Sequence, residues 1–161
     1  MGIIVSGFRG CGCGQLAYDH GDDIKIMDAR NLPSDSVVDV VMKEVDNYDI
    51  VFIASDNSTR RAFTSARVDF DVFYPSKGRR SEFTLNEVKK HTKHDIIRDL
   101  DVNFFKMVDE IEDDDSEYCH KHLLSEEGQF IGNSEVIVKY IDSVKKSRKQ
   151  ANETTEEPTN D

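Results

Sequence analysis

Tryptophan is absent from the 161 residues, proline and cysteine appear three times each, and 21 basic side chains face 32 acidic ones. Each shortage excludes something. Three cysteines cannot all pair with one another, and a single glycine separates Cys11 from Cys13, so a reducing compartment is expected rather than a disulfide-stapled scaffold. No apolar run approaches the roughly 18 residues of a membrane helix. The opening Met1-Gly2-Ile3-Ile4-Val5 also lacks the basic start of a secretory signal. The expected location is the cytoplasm, with no membrane partner. The cationic deficit leaves a net charge of -11, which repels the phosphates of duplex DNA, so a nucleotide has to be met by a local cationic site. Apolar residues make up only 37% of the chain, below the usual roughly 45–50%, which points to one compact core under a heavily solvated exterior.

Short apolar runs bounded by glycine, aspartate or proline read as buried strands: Ile3-Ile4-Val5, then Ile24 to Met27, Ile50 to Ala54 and Phe70 to Tyr74. Helical patterns alternate with them. Ser36 with Asp39 predicts a capping box before Val37, Val41 and Val45, and Asp56 predicts a cap for a helix through Phe63. Strands alternating with helices give an α/β fold with a parallel sheet and flanking helices. Residues 76–93 are rich in cations and read as an exposed mobile segment with a short helix from Glu82 to Lys90. Thr92 and Asp95 open an amphipathic helix carrying Ile97, Leu100, Phe104, Val108 and Ile111. Cys119 to Leu124 suggests an edge strand, and Ile137, Tyr140, Ile141 and Val144 a last helix. A single domain is thus expected over 1–146, with a disordered tail over 147–161, which lacks large apolar residues.

The most informative stretch is Gly7-Phe8-Arg9-Gly10-Cys11-Gly12-Cys13-Gly14, between the first strand and the first helix. Glycines let backbone amides turn toward one point, and amides at a helix N-terminus cradle phosphate without any particular side chain. Against the pattern G-x-x-x-x-G-K-[ST], Gly7 and Gly12 match, Cys13 stands in place of lysine and Gly14 in place of the hydroxyl. Lysine supplies charge to the β/γ-phosphates and the hydroxyl holds Mg²⁺, so phosphoryl transfer loses electrostatic stabilisation where binding survives.

The order of strand, glycine loop, Lys25-Ile26-Met27-Asp28, Asp49 to Ser55, and Asp69 to Lys77 with Arg79, Arg80 and Glu82 resembles a family of small phage and prophage proteins related to P-loop nucleoside monophosphate kinases. The resemblance runs to about Ile111. It implies ATP, with Mg²⁺ if the protein is active, at Gly7, Arg9, Gly10, Cys11, Gly12, Cys13 and Gly14. It also implies an acceptor nucleotide near Asp28, a lid bearing Lys77, Arg79 and Arg80, and a host-cell cytoplasmic location. In this reading Arg79, Arg80 and Asp28 are the catalytic candidates. The alternative is a catalytically dead descendant whose acidic exterior engages a basic host protein.

A dinucleotide fingerprint from Gly10 fails because Gln15 stands where its last glycine belongs. A zinc site from Cys11, Cys13, Cys119, His120 and His122 is not expected, since Cys-x-Cys lacks the usual spacing and the two histidines are placed on opposite strand faces. Cys13, at a helix N-terminus, is a candidate redox-reactive thiol with no base beside it in sequence.

Overall fold

β-branched and aromatic runs form five strands, β1 (Ile3–Gly7), β2 (Ile26–Asp28), β3 (Ile50–Ile53), β4 (Phe70–Pro75) and β5 (Cys119–Leu124). The structure is a computed structural model and describes residues 2–155. All strand pairs are parallel, and the order across the sheet is β2-β3-β1-β4-β5. Ile3 lies opposite Ile50 and Val5 opposite Asp71, so β1 sits in the centre, and every residue of β3 is buried. A strand covered on both faces must be apolar at successive positions, which is why these runs do not alternate.

Among the described residues, six α-helices connect and flank the strands: α1 (Cys13–His20), α2 (Val37–Glu44), α3 (Asn57–Ser65), α4 (Arg80–Lys89), α5 (His94–Glu112) and α6 (Glu135–Thr155). Asp56 caps α3 as its sequence predicts, accepting from the Thr59 amide at 2.7 Å. The capping box at Ser36 does not form. The α2 helix starts there, but the Ser36 hydroxyl donates backward to the Pro33 carbonyl at 3.4 Å. Leu100, Phe104, Val108 and Ile111 fill the buried stripe of α5. Phe104 joins Phe8 and Phe83 in an edge-to-face cluster with centroids 5.2–6.1 Å apart.

Two expectations are corrected. Residues 76–93 form a packed element rather than a mobile lid: Ser76 leads into a 3₁₀ turn over Lys77–Arg79 and then α4, whose Phe83 is fully buried. The tail is helical as far as it is described, because α6 continues through residue 155. Arg148 anchors it, donating to the Asp23 carbonyl at 2.8 Å and to Asp49 Oδ2 at 2.6 Å. Extending a nucleated helix costs little per residue, so one docked guanidinium replaces the apolar contacts this segment lacks. The rest of the expected tail, 156–161, lies outside the described residues. No helix among the described residues is long and apolar enough to cross a membrane.

Candidate functional site: an amide-lined cleft at the carboxyl edge

In a parallel sheet every carboxyl end lies along one edge, and ligands collect where successive connections depart in opposite directions. The chain leaving β1 returns at β2 on one side, whereas the chain leaving β3 crosses to β4 on the other. The switch therefore falls between the neighbours β1 and β3. A cleft of about 830 Å³ opens there, lined by residues 7–15, by Asp28, Arg30 and Asn31 after β2, by residues 54–56 after β3, and by Glu87 and Lys90.

The glycine loop is anchored from below and open above. Phe8 donates its amide to the Phe73 carbonyl at 2.9 Å and buries its ring against α4 and α5. Gly10 and Gly12 take φ of 87° and 99°, a region closed to most L-residues, and this folds the chain back into α1. The Cys11 amide bonds the Phe8 carbonyl, and the Cys11 carbonyl accepts from the Ile131 amide, each at 2.9 Å. Leu16 is the first residue of α1 to donate into the helix, to the Gly12 carbonyl at 3.0 Å. Among the described residues, the amides of Gly12, Cys13, Gly14 and Gln15 find no protein acceptor. They are the orphan donors of a helix start, and all four residues line the cleft.

Side chains give this edge no net charge. Arg9, Arg30 and Lys90 line it together with Asp28, Asp56 and Glu87. Asp28 is held by Arg30 through two bonds of 2.9 and 2.8 Å, and the guanidinium keeps its carboxyl below the ordinary range. Asp56 is engaged as the α3 cap, and Glu87 accepts from the Thr92 hydroxyl at 2.7 Å. With three cations against three carboxylates, the attraction for an anion rests on the amides and the positive end of α1.

Of the residues singled out from sequence, Gly7, Arg9, Gly10, Cys11, Gly12, Cys13, Gly14 and Asp28 come together in this cleft. Lys77, Arg79 and Arg80 do not. Arg79 is 5% exposed; it forks onto Glu82 with two 2.8 Å bonds and donates to the carbonyls of Leu124 and Gln129 at 3.0 and 2.6 Å. Its guanidinium also lies 4.9 Å from the Phe83 ring centre and 5.2 Å from that of Phe130. Arg80 pairs with Asp101 at 3.1 Å over Phe105, and Lys77 pairs with Asp109, both on α5. These positions replace the lid assignment: Arg79 is a fixed strut, and the other two cations point at α5.

Arg79 nevertheless bears on the site from beneath. It fixes the Gln129–Phe130 backbone, and the next amide, from Ile131, holds the Cys11 carbonyl. The sequence reading missed Arg30 and Lys90, the cations that do line the cleft. Arg30 had a signal, since it stands two residues beyond the acid that ends a strand at the ligand edge. Lys90 had none, because its place depends on α4 packing back toward Gly10, whose missing Cβ would lie 3.3 Å from Glu87 and Phe83. The two histidines are also corrected: residues two apart share a strand face, and His120 and His122 bond Asp69 and Asp71 at 2.9 and 2.7 Å. No protein-family model matches the chain, and no curated protein matches it significantly.

Proposed function

We propose that this protein binds the phosphate groups of a nucleotide at the glycine loop and does so without efficient phosphoryl transfer. The observation that carries this reading is the set of four open amides, Gly12 to Gln15, at the switch point of a parallel sheet. A hydrogen bond to a charged partner contributes about 1.5–3 kcal/mol. Two to four of them give about 3–12 kcal/mol before the cost of association is met. Arg9 stands on the cleft wall to meet further phosphate oxygens, with Arg30 and Lys90 beside it as cations that an anion would share with Asp28 and Glu87.

Turnover lacks its usual supports. Position 13 carries a thiol turned under the loop against Gly7 instead of an ammonium, and position 14 carries no hydroxyl. The cleft carboxylates are engaged by Arg30, by the Thr59 amide and by the Thr92 hydroxyl, so this donor set does not fit Mg²⁺. The second reading, an active nucleoside monophosphate kinase, is favoured by one feature: Asp28 and Arg30 face the loop across the cleft, where an acceptor would sit.

Isothermal titration of the reduced chain with ATP, AMP and pyrophosphate, with and without Mg²⁺, tests both readings. Pyrophosphate and ATP are expected to bind with little dependence on Mg²⁺, Arg30→Ala to weaken binding roughly tenfold, and a coupled assay to detect no transfer to AMP. No heat with any of the three ligands overturns phosphate binding; turnover above the uncatalysed rate restores the kinase reading.

A further inference from the structure

Two thiols lie beneath the glycine loop, and phosphate binding does not use them. Cys11 is 1% and Cys13 5% exposed, with their sulfurs 3.9 Å apart. Both press on Gly7: a Cβ there would stand 2.6 Å from Cys11 Sγ and 2.5 Å from Cys13 Sγ, so only glycine lets the two sulfurs share one small chamber. Between them stands Gly12, in the left-handed region and without a side chain to resist a turn of the loop. Both residues also belong to the cleft wall, so the buried pair lies directly behind the candidate site.

We propose that Cys11 and Cys13 form a peroxide-reactive pair whose oxidation closes a disulfide within the loop, directly under the phosphate cradle. The sulfurs need to close from 3.9 Å to about 2.05 Å. Cys13 is the first nucleophile. The hydrogen bond it shares with the Cys11 thiol and then the positive charge of Arg30 nearby draw the Cys13 thiol down despite its burial, whereas burial pushes Cys11 up. Cys13 Sγ attacks one oxygen of hydrogen peroxide and the O–O bond breaks. A sulfenic acid forms on Cys13, and the departing hydroxide takes up the thiol proton as water. Cys11 Sγ then attacks Cys13 Sγ, the S–O bond breaks, and the second hydroxide leaves as water with the Cys11 proton. Two thiols and one peroxide become one disulfide and two waters, with two electrons passing from sulfur to oxygen.

Cys119 is an internal control. It starts β5, at the amino edge of the sheet and away from the cleft, and burial pushes its thiol up to about 11. The disulfide draws both sulfurs off Gly7 and tightens the turn at Gly12, whose amide belongs to the cradle, so oxidation weakens phosphate binding. That consequence, unlike the disulfide itself, rests on the proposed function.

The reduced full-length chain is treated with stoichiometric hydrogen peroxide, alkylated under denaturing conditions and mapped by peptide mass spectrometry. The expected result is a fall from three alkylated thiols to one, Cys119, with the peptide holding Cys11 and Cys13 lighter by two hydrogens and carrying no added oxygen. Dithiothreitol restores all three. Oxidation of Cys119 as fast as the pair, a sulfinic acid on Cys13 beside an alkylated Cys11, or only interchain disulfides overturns the proposal. Cys11→Ser is expected to leave Cys13 accumulating added oxygen; should that variant misfold, the wild-type map decides alone. Pyrophosphate affinity of the oxidised chain is expected to fall within the roughly 5–150-fold range of coupled sites and to recover on reduction. Equal affinity in both states overturns the coupling. Absence of binding by the reduced chain overturns the proposed function, while the thiol map still decides the redox pair.

Discussion

The glycine loop and the cationic turn after β4 hold opposite resources. The loop has four unpaired donors at the start of α1 and no cation at position 13; the turn has three cations, Lys77, Arg79 and Arg80, and each already has a carboxylate. Pairing alone does not separate the two regions, since Arg30 and Lys90 on the cleft wall also have carboxylates, Asp28 at 2.8 Å and Glu87 at 3.7 Å. What differs is that Glu82, Asp101 and Asp109 hold the three cations of the turn away from the cleft. Backbone amides need no such accounting, because the first turn of any helix leaves them open. The pairs also differ among themselves. Those of Lys77 and Arg80 lie in solvent, where an ion pair is weak, so direction rather than energy keeps these side chains from the cleft, whereas Arg79 is fixed by burial and four acceptor atoms.

The sharpest way to break this contrast is Arg79→Ala. Removing the guanidinium leaves the Leu124 and Gln129 carbonyls without their donor and the Glu82 carboxylate with the Gly128 amide alone, and a buried acceptor left unsatisfied costs about 1–3 kcal/mol. Chemical denaturation should show a loss of that size. Because Arg79 supports the segment that holds the Cys11 carbonyl, the variant should also exchange the bonded Ile131 amide faster. A stability change under about 1 kcal/mol would return Arg79 to the mobile lid of the sequence reading.

Gly7→Ala probes the other half. The added methyl meets both sulfurs and Ile131, and overpacking of this kind costs about 1–3 kcal/mol. Thermal unfolding should show the loss, and Cys11→Ala in the same chain should recover part of it by emptying one side of the chamber. No recovery would mean that the two thiols do not meet at Gly7.

Acid separates the regions more gently. Arg79 first, and then the Gly128 amide, hold the Glu82 carboxyl below its ordinary value of 4.5. A carboxyl depressed in the folded state adds stability that is complete above its unfolded value and is lost as pH falls through the folded one. Stability should therefore decline below about pH 4.5 with a component that Glu82→Gln abolishes. With Glu82 partly exposed, that component should stay at or below roughly 1 kcal/mol. An unchanged acid limb in Glu82→Gln would detach Glu82 from Arg79.

Legibility in the sequence followed the range of the interactions. Strands such as Ile50 to Ile53 and the cap at Asp56 depend on neighbours within a few residues, and local pattern located them. The glycine loop was legible because positive φ at Gly10 and Gly12 is a local demand. Arg79 was not, because its acceptors at Leu124 and Gln129 lie 45 and 50 residues away. Arg148 escaped for the same reason, its partners in Asp23 and Asp49 standing 125 and 99 residues back. Composition marked both arginines as solvent-facing, and only tertiary packing brings their partners to them.

The smallest effect is the most diagnostic of how the loop works. Gly14 lies in the first turn of α1, its φ is ordinary, and a Cβ there meets nothing within 4 Å. Gly14→Ala should raise stability by about 0.5–1 kcal/mol, since alanine loses less backbone freedom than glycine on entering a helix. If phosphate is met by the amide at this position, affinity for pyrophosphate should not change, because the N–H is retained and the methyl has open space. Gly12→Ala keeps its amide too, yet forces a side chain into φ of 99° and so should lower both stability and affinity. Equal affinities in the two variants would separate ligand binding from the backbone geometry of the loop and remove the amide cradle as its source.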